Sequence, residues 1–434
     1  MSEKVLILGL SKSGISAAKY ALTKGYDVYL TESKAEVNLE QVKELEELGV
    51  KVEYGSHSNE FIEGTAFAIT SPGIPPKSEI FQRLNAKNIK IISEVEFAYL
   101  NTKTPFIAIT GTNGKTTTTA LVSHILSKKF SAPVCGNIGV PPTSLINKNH
   151  DFLVLEISSY QAEMTDKFKA KIACWTNFTP DHIDWHGGLE NYFKAKAKIF
   201  LPPQEPEFAV LNAKDEKLKE FSKECKNVIF FDKPEDCGIK DNAIFYKGEE
   251  IITLTDCPLV GHHNYQNIMC GIIIAKLVGM DNSDIREQII SFRAPEHRLE
   301  KVREMNGITF YNDSKATNPE ASIVAIDSFN GVDVALILGG RDKNTDLTEM
   351  CESINKHVKT VILIGEAAER FEENLKKNGF SNIIKEGTLE SAIDRAISLN
   401  PDVVLLSPAC ASFDMFKSYE HRGEVFKDYV LSKQ

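Results

Sequence analysis

Residues 105 to 117 read Pro-Phe-Ile-Ala-Ile-Thr-Gly-Thr-Asn-Gly-Lys-Thr-Thr, and the rest of the chain is interpreted outward from this stretch. An apolar, β-prone run ends at Thr110. A glycine-rich loop follows, and Lys115 and Thr116 then begin a segment of helical length that reaches Ser127. In such a unit the loop amides and the helix N-terminus hold a polyphosphate, the lysine adds charge, and the threonine hydroxyl reaches Mg²⁺. The stretch therefore predicts a nucleotide site.

The match to the general phosphate-binding pattern is incomplete at one position. Where that pattern has its first glycine, before Gly114, this chain has Ile109. The structural alternative is a simple turn with a solvated lysine, because short glycine motifs recur by chance. The strand before the loop and the helix after it favour the nucleotide site, whose predicted contacts are Gly111, Thr112, Asn113, Gly114, Lys115, Thr116 and Thr117.

Size and charge limit the classes of protein to which the chain can belong. Its 434 residues are enough for about two to four domains. The net charge of −10 argues against a nucleic-acid binder or a membrane-surface protein, since both need a basic face. Neither a membrane span nor a signal sequence is predicted, and the eight cysteines form no Cys-x-x-Cys pair. We therefore expect a cytoplasmic protein with reduced thiols.

The N-terminal part opens with a strand–helix–strand pattern of the dinucleotide-binding kind. A buried strand is predicted at Lys4–Leu8, the loop Gly9–Gly14 follows it, and the second strand leads into Thr31-Glu32. Ser11 occupies the middle glycine position of the fingerprint, which weakens the case for a dehydrogenase. The loop can still hold a nucleotide diphosphate on its amides, with Ser13-Gly14 nearest the helix start.

Two further segments complete the predicted first domain. The apolar stretch Ala66–Thr70 leads into a stiff turn, Ser71-Pro-Gly-Ile-Pro-Pro76, at a predicted strand end. Ile91–Phe97 is predicted as the last strand and the exit from the domain. We place the end of this α/β domain near residue 93.

A carboxylate lies near the end of the next strong strand, Phe152–Ile157. In a phosphate-loop domain the neighbouring parallel strand often offers an acid to Mg²⁺ or its waters, which makes Glu156 a metal candidate. The residues Ser158–Gln161 continue into the loop at the same edge, where open parallel sheets bind ligands. The alternative, a hydrated edge acid, is disfavoured by the apolar residues around Glu156.

Further along, two polar features follow the predicted strand Ile172–Asn177. The loop segment 181–186 carries two aspartates and two histidines, which suits a metal or phosphate edge but also an ordinary loop. The predicted helix Leu189–Phe200 carries Lys194, Lys196 and Lys198, and its plain interpretation is a solvated basic helix.

A histidine and asparagine cluster, Gly261-His-His-Asn-Tyr-Gln-Asn267, precedes a predicted apolar helix at Ile268–Val278. It fits recognition of a base or ribose, and it equally fits helix capping by Asn264.

The last part of the chain again alternates strands and helices, which predicts a parallel sheet. Strands are predicted at Ile308–Tyr311, Val334–Leu338, Val361–Ile364 and Val403–Leu406. Three of the four strand-end loops carry lysine, aspartate or serine clusters. We therefore expect the carboxyl edge of this sheet to face a ligand.

An ordered series of motifs resembles the Mur ligases, the ATP-dependent amino-acid ligases of bacterial cell-wall precursor synthesis. The shared motifs are Thr110-Gly-Thr-Asn-Gly-Lys-Thr116, Gly136-Asn-Ile-Gly139, Glu156-Ile-Ser-Ser159, Asp181-His182, Ala195-Lys196, His263-Asn264-x-x-Asn267 and His297-Arg298. Within the family, the chain is most similar to the members that add D-glutamate, through Asn312-Asp-Ser-Lys-Ala-Thr-Asn318, Leu406-Ser-Pro-Ala-Cys-Ala-Ser-Phe-Asp-x-Phe416 and Arg422-Gly423. The resemblance runs from Gly9 to Arg422.

The resemblance implies an α/β protein of three domains and no oligomer. Residues 1–93 would form a Rossmann-like domain that binds the UDP substrate. Residues 94–296 would form a central phosphate-loop ATPase domain with a mostly parallel sheet. Residues 297–434 would form a Rossmann-like α/β domain that binds the amino acid.

The implied substrates are UDP-N-acetylmuramoyl-L-alanine and D-glutamate. The nucleotide substrate would contact Ser13, Gly14, Thr31, Glu32, Ser71, Pro72, Gly73, Asn137, Ser158, Ser159 and Gln161. D-Glutamate would contact Lys315, Thr317, Lys343, Ser412, Phe413 and Tyr419. The family commonly has an Asp-Thr pair near the uracil, so Thr31-Glu32 is a departure that leaves the base contacts open.

The resemblance also implies MgATP and a modified lysine. Lys115, Thr116 and Glu156 would hold the β- and γ-phosphates and a first Mg²⁺, and His182 would help bind a second. In this family a helix lysine is carbamylated by CO₂ and joins the second metal; the pattern indicates Lys196, with Lys194 and Lys198 as alternatives. Adenine, phosphate and ribose contacts would come from Asn267, Arg298 and Asp313.

The implied reaction passes through an acyl phosphate that the amine of D-glutamate attacks. Several rivals stay open: a sister ligase for alanine, lysine or diaminopimelate, a folylpolyglutamate synthetase, an NAD-dependent oxidoreductase, and a nucleotide-gated regulatory protein. The third-domain motifs disfavour the first two. The phosphate loop with Glu156 and His182 disfavours the others.

Overall fold

The computed structural model describes residues 2–181, 183–259, 261–293, 296–342 and 345–433. The chain divides into two compact units, Met1–Cys257 with Gln266–Ser291, and Pro258–Tyr265 with Phe292–Gln434. Two sheets belong to the first unit and a third sheet to the second, all with mostly parallel strands. The predicted α/β class is confirmed.

The first sheet has the strand order β3-β2-β1-β4-β5, with parallel neighbours throughout. Its strands are β1 Lys4–Leu8, β2 Asp27–Glu32, β3 Lys51–Tyr54, β4 Thr65–Thr70 and β5 Lys90–Ser93. The associated helices are α1 Lys12–Thr23, α2 Leu39–Glu47, α3 Asn59–Ile62, α4 Glu79–Ala86 and α5 Glu94–Leu100. The central strand β1 is buried on both faces, which explains its unbroken apolar run.

The predicted exit strand Ile91–Phe97 is wrong in its second half. β5 ends at Ser93, whose hydroxyl accepts a hydrogen bond from the amide of Glu96 and caps α5. Glu94 and Glu96 lie in the first helical turn, where negative charge is favourable. The capping serine and acidic first turn therefore outweigh the β-prone apolar residues around them.

The second sheet has the order β14-β13-β12-β11-β10-β9-β6-β8-β7, and its pairs are parallel except for β12–β13 and β13–β14. Its strands are β6 Phe106–Thr110, β7 Val134–Gly136, β8 Leu153–Glu156, β9 Ile172–Trp175, β10 Phe208–Asn212, β11 Val228–Phe231, β12 Cys237–Lys240, β13 Ala243–Tyr246 and β14 Glu249–Thr253. The helices are α6 Lys115–Leu126, α7 Ser159–Glu163, α8 Ile183–His186, α9 Leu189–Ala197, α10 Glu216–Phe221, α11 His262–Leu277 and α12 Asn282–Ser291. Because β6 lies between β8 and β9, the ends of those two strands flank the glycine loop.

Helix α11 starts earlier than the sequence predicts. It begins at His262 rather than Ile268, so Asn264 lies inside the helix and does not cap it. The sequence places the helix start later because apolar periodicity begins only at Ile268. Buried side chains of Asn264 and Asn267 show that this polar turn packs against protein.

The third sheet has the order β15-β16-β20-β17-β18-β19. Its strands are β15 Glu300–Met305, β16 Ile308–Asn312, β17 Val334–Gly339, β18 Thr360–Ile364, β19 Ile383–Lys385 and β20 Val403–Leu406. The helices are α13 Pro319–Ile326, α14 Thr348–His357, α15 Ala368–Lys377, α16 Leu389–Ser398 and α17 Tyr419–Ser432. The edge strand β15 is antiparallel and was not predicted, because four of its six residues are charged.

The sequence predicts no membrane span, and it predicts reduced thiols. Across the residues that the structure describes, no helix is both long and apolar enough to cross a membrane. The cysteines are all described, and each carries a free thiol.

Candidate active site

The glycine loop between β6 and α6 packs directly against the end of β9. Gly111 has a φ of +148°, and a Cβ built there would lie 1.9 Å from the Thr176 hydroxyl. Gly114 precedes α6 with a φ of +78°. These two positions require glycine, and the resulting turn aims the first amides of α6 at the carboxyl edge of the sheet.

Polar groups after β9 hold the loop in this shape. Asn177 accepts from the Thr112 amide through its carbonyl at 3.0 Å, and from the Asn113 amide through Oδ1 at 2.8 Å. Its Nδ2 donates back to the Asn113 carbonyl at 3.1 Å, and the Thr176 hydroxyl donates to the same carbonyl at 2.6 Å. Sequence reasoning missed Asn177, for which the only signal was its position at a strand end.

Two lysines converge on one carbonyl oxygen of the loop. Lys115 Nζ donates to the Gly111 carbonyl at 3.0 Å and to that of Thr112 at 2.7 Å. Lys196 Nζ donates to the same Gly111 carbonyl at 2.8 Å and lies over the Tyr192 ring. Burial, reinforced by the charge of Lys115, lowers the pKa of Lys196 well below 10.5. A neutral amine is therefore favoured at this position.

The neighbouring lysines of the same helical stretch lie elsewhere. Lys194 is exposed. Lys198 Nζ donates to the carbonyls of Glu163 at 2.8 Å and Thr165 at 2.6 Å, beyond the end of α7. Among the three lysines that the sequence offered, the structure brings Lys196 to the phosphate loop.

Glu156 lies at the end of β8, next to the loop strand. Its side chain is 1% exposed, and Oε1 accepts from Asn137 Nδ2 at 2.7 Å. Its Oε2 is buried and has no hydrogen-bond partner among the described residues. An anionic oxygen left in this state fits a cation beside the start of α6, where Thr116 is also buried.

The described residues contain no group of three or more His, Cys, Asp or Glu side chains that could hold a metal by themselves. Mg²⁺ is usually held by one or two carboxylates together with substrate phosphates. The predicted metal-binding His182 lies outside the described residues.

Helix α7 presents the predicted serines beside a buried histidine. Ser158 and Gln161 form a capping box at the helix start. The Ser159 hydroxyl lies 3.0 Å from His186 Nε2, while His186 Nδ1 lies 3.4 Å from Glu163. The side chain of His186 is thus enclosed by protein groups.

Asn267 packs against the phosphate loop from α11. Its Oδ1 accepts from the Thr118 hydroxyl at 2.9 Å, and a Cβ on Gly114 would lie 2.8 Å from the same oxygen. The predicted nucleotide-binding asparagine therefore touches the start of α6.

In the first sheet, two predicted segments meet at the carboxyl edge. The Ser11 hydroxyl donates to Ser71 Oγ at 2.7 Å and accepts from the Gly14 amide at 3.2 Å. Ser71 Oγ in turn donates to the carbonyl of Gly9 at 3.3 Å. The loop that contains Ser13 therefore forms one continuous polar surface with the Ser71-Pro72-Gly73 turn.

Thr31 and Glu32, where the chain departs from the family's Asp-Thr pair, lie in two different environments. Thr31 is fully buried, and its hydroxyl contacts Glu53 and His57. Glu32 is partly exposed, and its Oε2 accepts from the amide of Leu10 at 2.9 Å. Glu32 reaches the glycine loop through its side chain, and Thr31 reaches it through its carbonyl, which accepts from the Gly9 amide at 2.9 Å.

A cleft lies between the edge of the first sheet and α7. Its walls are Thr70, Ser71, Pro72, Gly73, Ile74, Pro76, Ser93, Glu94, Tyr160, Gln161, Glu163, Met164 and Trp185. Predicted residues of both sheets therefore share one cavity.

Glu94 belongs to this cleft, and sequence reasoning missed it. The amide and hydroxyl of Thr143 donate to its Oε1 at 2.7 and 2.6 Å. The Thr143 hydroxyl also lies 2.7 Å from Ser16 Oγ on α1. Burial raises the pKa of Glu94 to about 7, against the opposing effect of the Thr143 bonds.

In the second compact unit, Asp313 follows β16 and is buried. Its Oδ2 accepts from the Ser407 hydroxyl at 2.7 Å, and Oδ1 accepts from the Leu299 amide at 3.1 Å. Burial raises its pKa to about 7. These contacts place Asp313 next to the segment that carries Arg298.

Residues predicted for the amino acid line the carboxyl edge of the third sheet. Lys315 Nζ lies 5.5 Å from the Tyr419 ring centroid, Ser412 is buried, and Phe413 is 63% exposed. Thr317 is half-buried, and predicted Lys343 lies outside the described residues. The structure therefore brings Lys315 and Tyr419 together.

Buried Arg422 organises this edge. Its Nε donates to Ser314 Oγ at 2.9 Å, and its Nη2 donates to the carbonyls of Ser314 and Cys410. Ser314 Oγ also donates to the Tyr419 carbonyl at 2.8 Å. Sequence comparison marked Arg422 without giving it this role.

Comparisons with known proteins cover nearly the whole chain. Three family models match: the MurD-like N-terminal domain of Mur ligases at residues 3–93, the Mur ligase middle domain at 109–275, and the Mur ligase glutamate ligase domain at 297–410. UDP-N-acetylmuramoylalanine–D-glutamate ligases from Thermoanaerobacter pseudethanolicus and Acidobacterium capsulatum are 38% and 39% identical, over 99% of this chain and 98% and 96% of theirs. The solved UDP-N-acetylmuramate–alanine ligase of Thermotoga maritima has the same fold, with a TM-score of 0.60 at 20% identity over 99% of this chain and all of that one.

Proposed function

The chain belongs to the Mur ligase family, and we propose that it joins D-glutamate to UDP-N-acetylmuramoyl-L-alanine, with ATP converted to ADP and phosphate. Mur ligases are ATP-dependent enzymes of peptidoglycan precursor synthesis that use Mg²⁺. The observation that carries the proposal is the convergence of Lys115, Lys196 and buried Glu156 on one phosphate loop. We expect the enzyme to act in the cytoplasm as a monomer.

The nucleotide substrate is proposed to lie along the edge of the first sheet and into the cleft. Ser13 and Gly14 at the start of α1 would hold the diphosphate, because the first amides of a helix favour anions. The turn Ser71-Pro72-Gly73 and Gln161 line the cleft, where the sugar would bind. Ser158, Ser159 and Asn137 extend this path towards Glu156.

MgATP is proposed to bind over the loop Gly111–Thr117. The amides of the loop and Lys115 would neutralise the β- and γ-phosphates, and Thr116 and Glu156 would hold the metal. Bound Mg²⁺ would supply charge neutralisation and would orient the phosphates. The unpartnered Oε2 of Glu156 supports this assignment, because removing a cation from it would leave a buried charge unbalanced. Asn267, Arg298 and Asp313 are proposed for adenine, phosphate and ribose.

Lys196 is proposed to carry a carbamate that joins His182 at a second metal. The neutral amine favoured by its lowered pKa is the form that attacks CO₂. A nitrogen–carbon bond forms as one carbon–oxygen π bond of CO₂ opens, the nitrogen loses a proton, and a neutral side chain becomes anionic. Next to the Lys115 charge this change creates an attraction.

The chemistry proposed for the site has two steps. The alanine carboxylate attacks the γ-phosphorus of ATP, which forms an acyl phosphate and releases ADP. The amine of D-glutamate then attacks the acyl carbon, and phosphate leaves with the electrons of the broken carbon–oxygen bond. Lys115 contributes by positioning and by neutralising negative charge, which is most of what phosphoryl-transfer enzymes supply.

The amino acid is proposed to bind at the carboxyl edge of the third sheet. A dicarboxylate needs cationic and hydroxyl partners, which Lys315, Lys343, Thr317 and Ser412 provide. Phe413 and Tyr419 would form apolar walls beside them. The corresponding domain limits are residues 1–93, 94–296 and 297–434.

The decisive experiment measures phosphate release from MgATP with UDP-N-acetylmuramoyl-L-alanine and one of five amino acids. D-Glutamate, L-glutamate, L-alanine, L-lysine and diaminopimelate are compared at equal concentration. Release only with D-glutamate is expected. Release with another amino acid would keep the mechanism but overturn the substrate, and silence in all samples despite bound ATP would favour a regulatory protein.

A further inference from the structure

Recognition of the substrate's base is carried by a histidine that no motif marked. Resting on the proposed function, we propose that His57 reads uracil by accepting the N3–H of the base at Nε2, with Thr31 as its positioning residue.

The order of strands decides where the base must lie. The ends of β4 and β5 contribute Ser71–Ile74 and Glu94 to the cleft. The diphosphate loop follows β1, the central strand, and β2 and β3 lie on its other side. A nucleotide sugar with its sugar in the cleft and its diphosphate on the loop therefore has its base over the ends of β2 and β3. His57 follows β3 shortly after Tyr54.

The hydrogen bonds of Thr31 define the protonation of the His57 ring. The Thr31 hydroxyl has one proton, and Glu53 Oε1 lies 2.8 Å away while the Ser56 carbonyl lies 3.2 Å away. Both of those oxygens are acceptors, so the proton is directed to them. The hydroxyl oxygen must then accept from His57 Nδ1, at 2.7 Å. Hydrogen on Nδ1 leaves the lone pair on Nε2.

The carboxylate of Glu32, at the same end of the first sheet, already has hydrogen-bond partners. The Glu32 carboxylate accepts from the amides of Leu10 and Lys34 and from the Ser33 hydroxyl. His57 Nε2 has no hydrogen-bond partner among the described residues, and the ring is half-buried. It is thus the preorganised acceptor at this end of the sheet.

The environment of His57 favours the neutral ring. Burial is the largest influence and lowers the pKa of His57 from 6.5. Arg83, whose Nη1 donates to the His57 carbonyl, adds to this effect. Three carboxylates oppose it without reversing it: Glu53, Glu32 and Glu79. A neutral ring can accept from uracil, whereas a protonated ring could only donate.

Uracil and cytosine differ at N3, so UDP and CDP can serve as probes of this hydrogen bond. N3 of uracil carries a hydrogen, while N3 of cytosine carries a lone pair that would face the lone pair of Nε2. We expect the wild-type protein to bind UDP at least roughly tenfold more tightly than CDP in isothermal titration calorimetry.

Two variants separate base recognition at Nε2 of His57 from the hydrogen bond between His57 and Thr31. His57→Asn keeps a donor at the Nδ1 position for Thr31 but removes the acceptor at the ε position. His57→Gln keeps an acceptor at the ε position but loses the bond to Thr31. We expect the preference for UDP over CDP to fall to within about threefold in H57N and to persist largely in H57Q.

A ligation assay adds a second readout. In H57N, KM for UDP-N-acetylmuramoyl-L-alanine is expected to rise roughly tenfold while kcat and the KM for D-glutamate stay within about twofold. A wild-type UDP/CDP ratio in H57N would overturn the proposal, as would equal weakening of both nucleotides in both variants. The nucleotide titrations do not need catalysis, so a wild-type protein that binds UDP without ligating would reject the proposed function and still test His57.

Discussion

At Lys196, the amine shares the carbonyl oxygen of Gly111 with Lys115. Because Lys196 is 2% exposed, the charged form of its amine is destabilised. A lysine held in this way is a candidate for chemistry rather than for stability. The exposed Lys194, two residues earlier on the same helix, lacks these features.

Replacing Lys196 by alanine should remove most ligase activity, by on the order of a hundredfold or more, since a metal-linked anion would be lost. Binding of UDP-N-acetylmuramoyl-L-alanine, measured by calorimetry, should stay nearly unchanged. Lys194→Ala is the matched control and should keep wild-type turnover. Near-normal turnover in the Lys196→Ala variant would end the carbamate assignment.

At the scale of elements, the site depends on strands that approach more closely than side chains allow. Gly136 at the end of β7 has a φ of +100°, and a Cβ there would lie 2.3 Å from the carbonyl of Glu156 on β8. The next residue, Asn137, donates to the Glu156 side chain. The packing of β7 on β8 therefore positions the carboxylate proposed to bind Mg²⁺.

The variant Gly136→Ala should lower both stability and Mg²⁺-dependent activity. Its clash with backbone and its left-handed φ together should cost roughly 2 to 4 kcal/mol. Gly248→Ala is the control, because Gly248 has a φ of +84° and open space around its Cβ position, so only about 1 kcal/mol should be lost. Thermal unfolding and ATP turnover at several Mg²⁺ concentrations measure the two effects. Equal losses in both variants would show that backbone strain alone matters.

At the scale of the whole molecule, each compact unit contains a buried carboxyl group with a raised pKa. Glu94 belongs to the first unit and Asp313 to the second, and burial raises the pKa of each to about 7. The folded state therefore holds a proton that the unfolded state has already lost above its ordinary pKa. Stability contributed by these groups falls as pH rises from that ordinary pKa to about 7, and it is constant above.

For Glu94 the affected window runs from pH 4.5 to about 7, and the cost above it is roughly 3 kcal/mol. Glu94→Gln keeps an acceptor for Thr143 and removes the charge. Its thermal stability relative to wild type should therefore improve between pH 5 and pH 8. Comparing the two proteins at each pH cancels other titrating groups, and a pH-independent difference would contradict the raised pKa.

The local sequence pattern was sufficient to predict most of the helices and strands and the phosphate loop. The loop at residues 110–116 could be predicted because glycine conformations and helix starts depend on neighbouring residues. Strand-end residues such as Glu156 and Ser412 could be assigned to ligand edges because parallel strands end on one side of a sheet. The start of α11 and the antiparallel β15 were missed, since polar faces that pack on protein leave no apolar period.

By itself, the sequence determined the α/β class, the family and the residue types available for nucleotide chemistry. Only the tertiary structure decided which lysine reaches Gly111. It also decided that Asn177 holds the glycine loop and that the Thr31 hydroxyl contacts His57. Glu94 and Thr143 are far apart in the chain, yet they share a buried hydrogen bond. Burial and partners at long sequence separation set pKa values and hydrogen-bond directions, and periodicity along a chain carries no information about either.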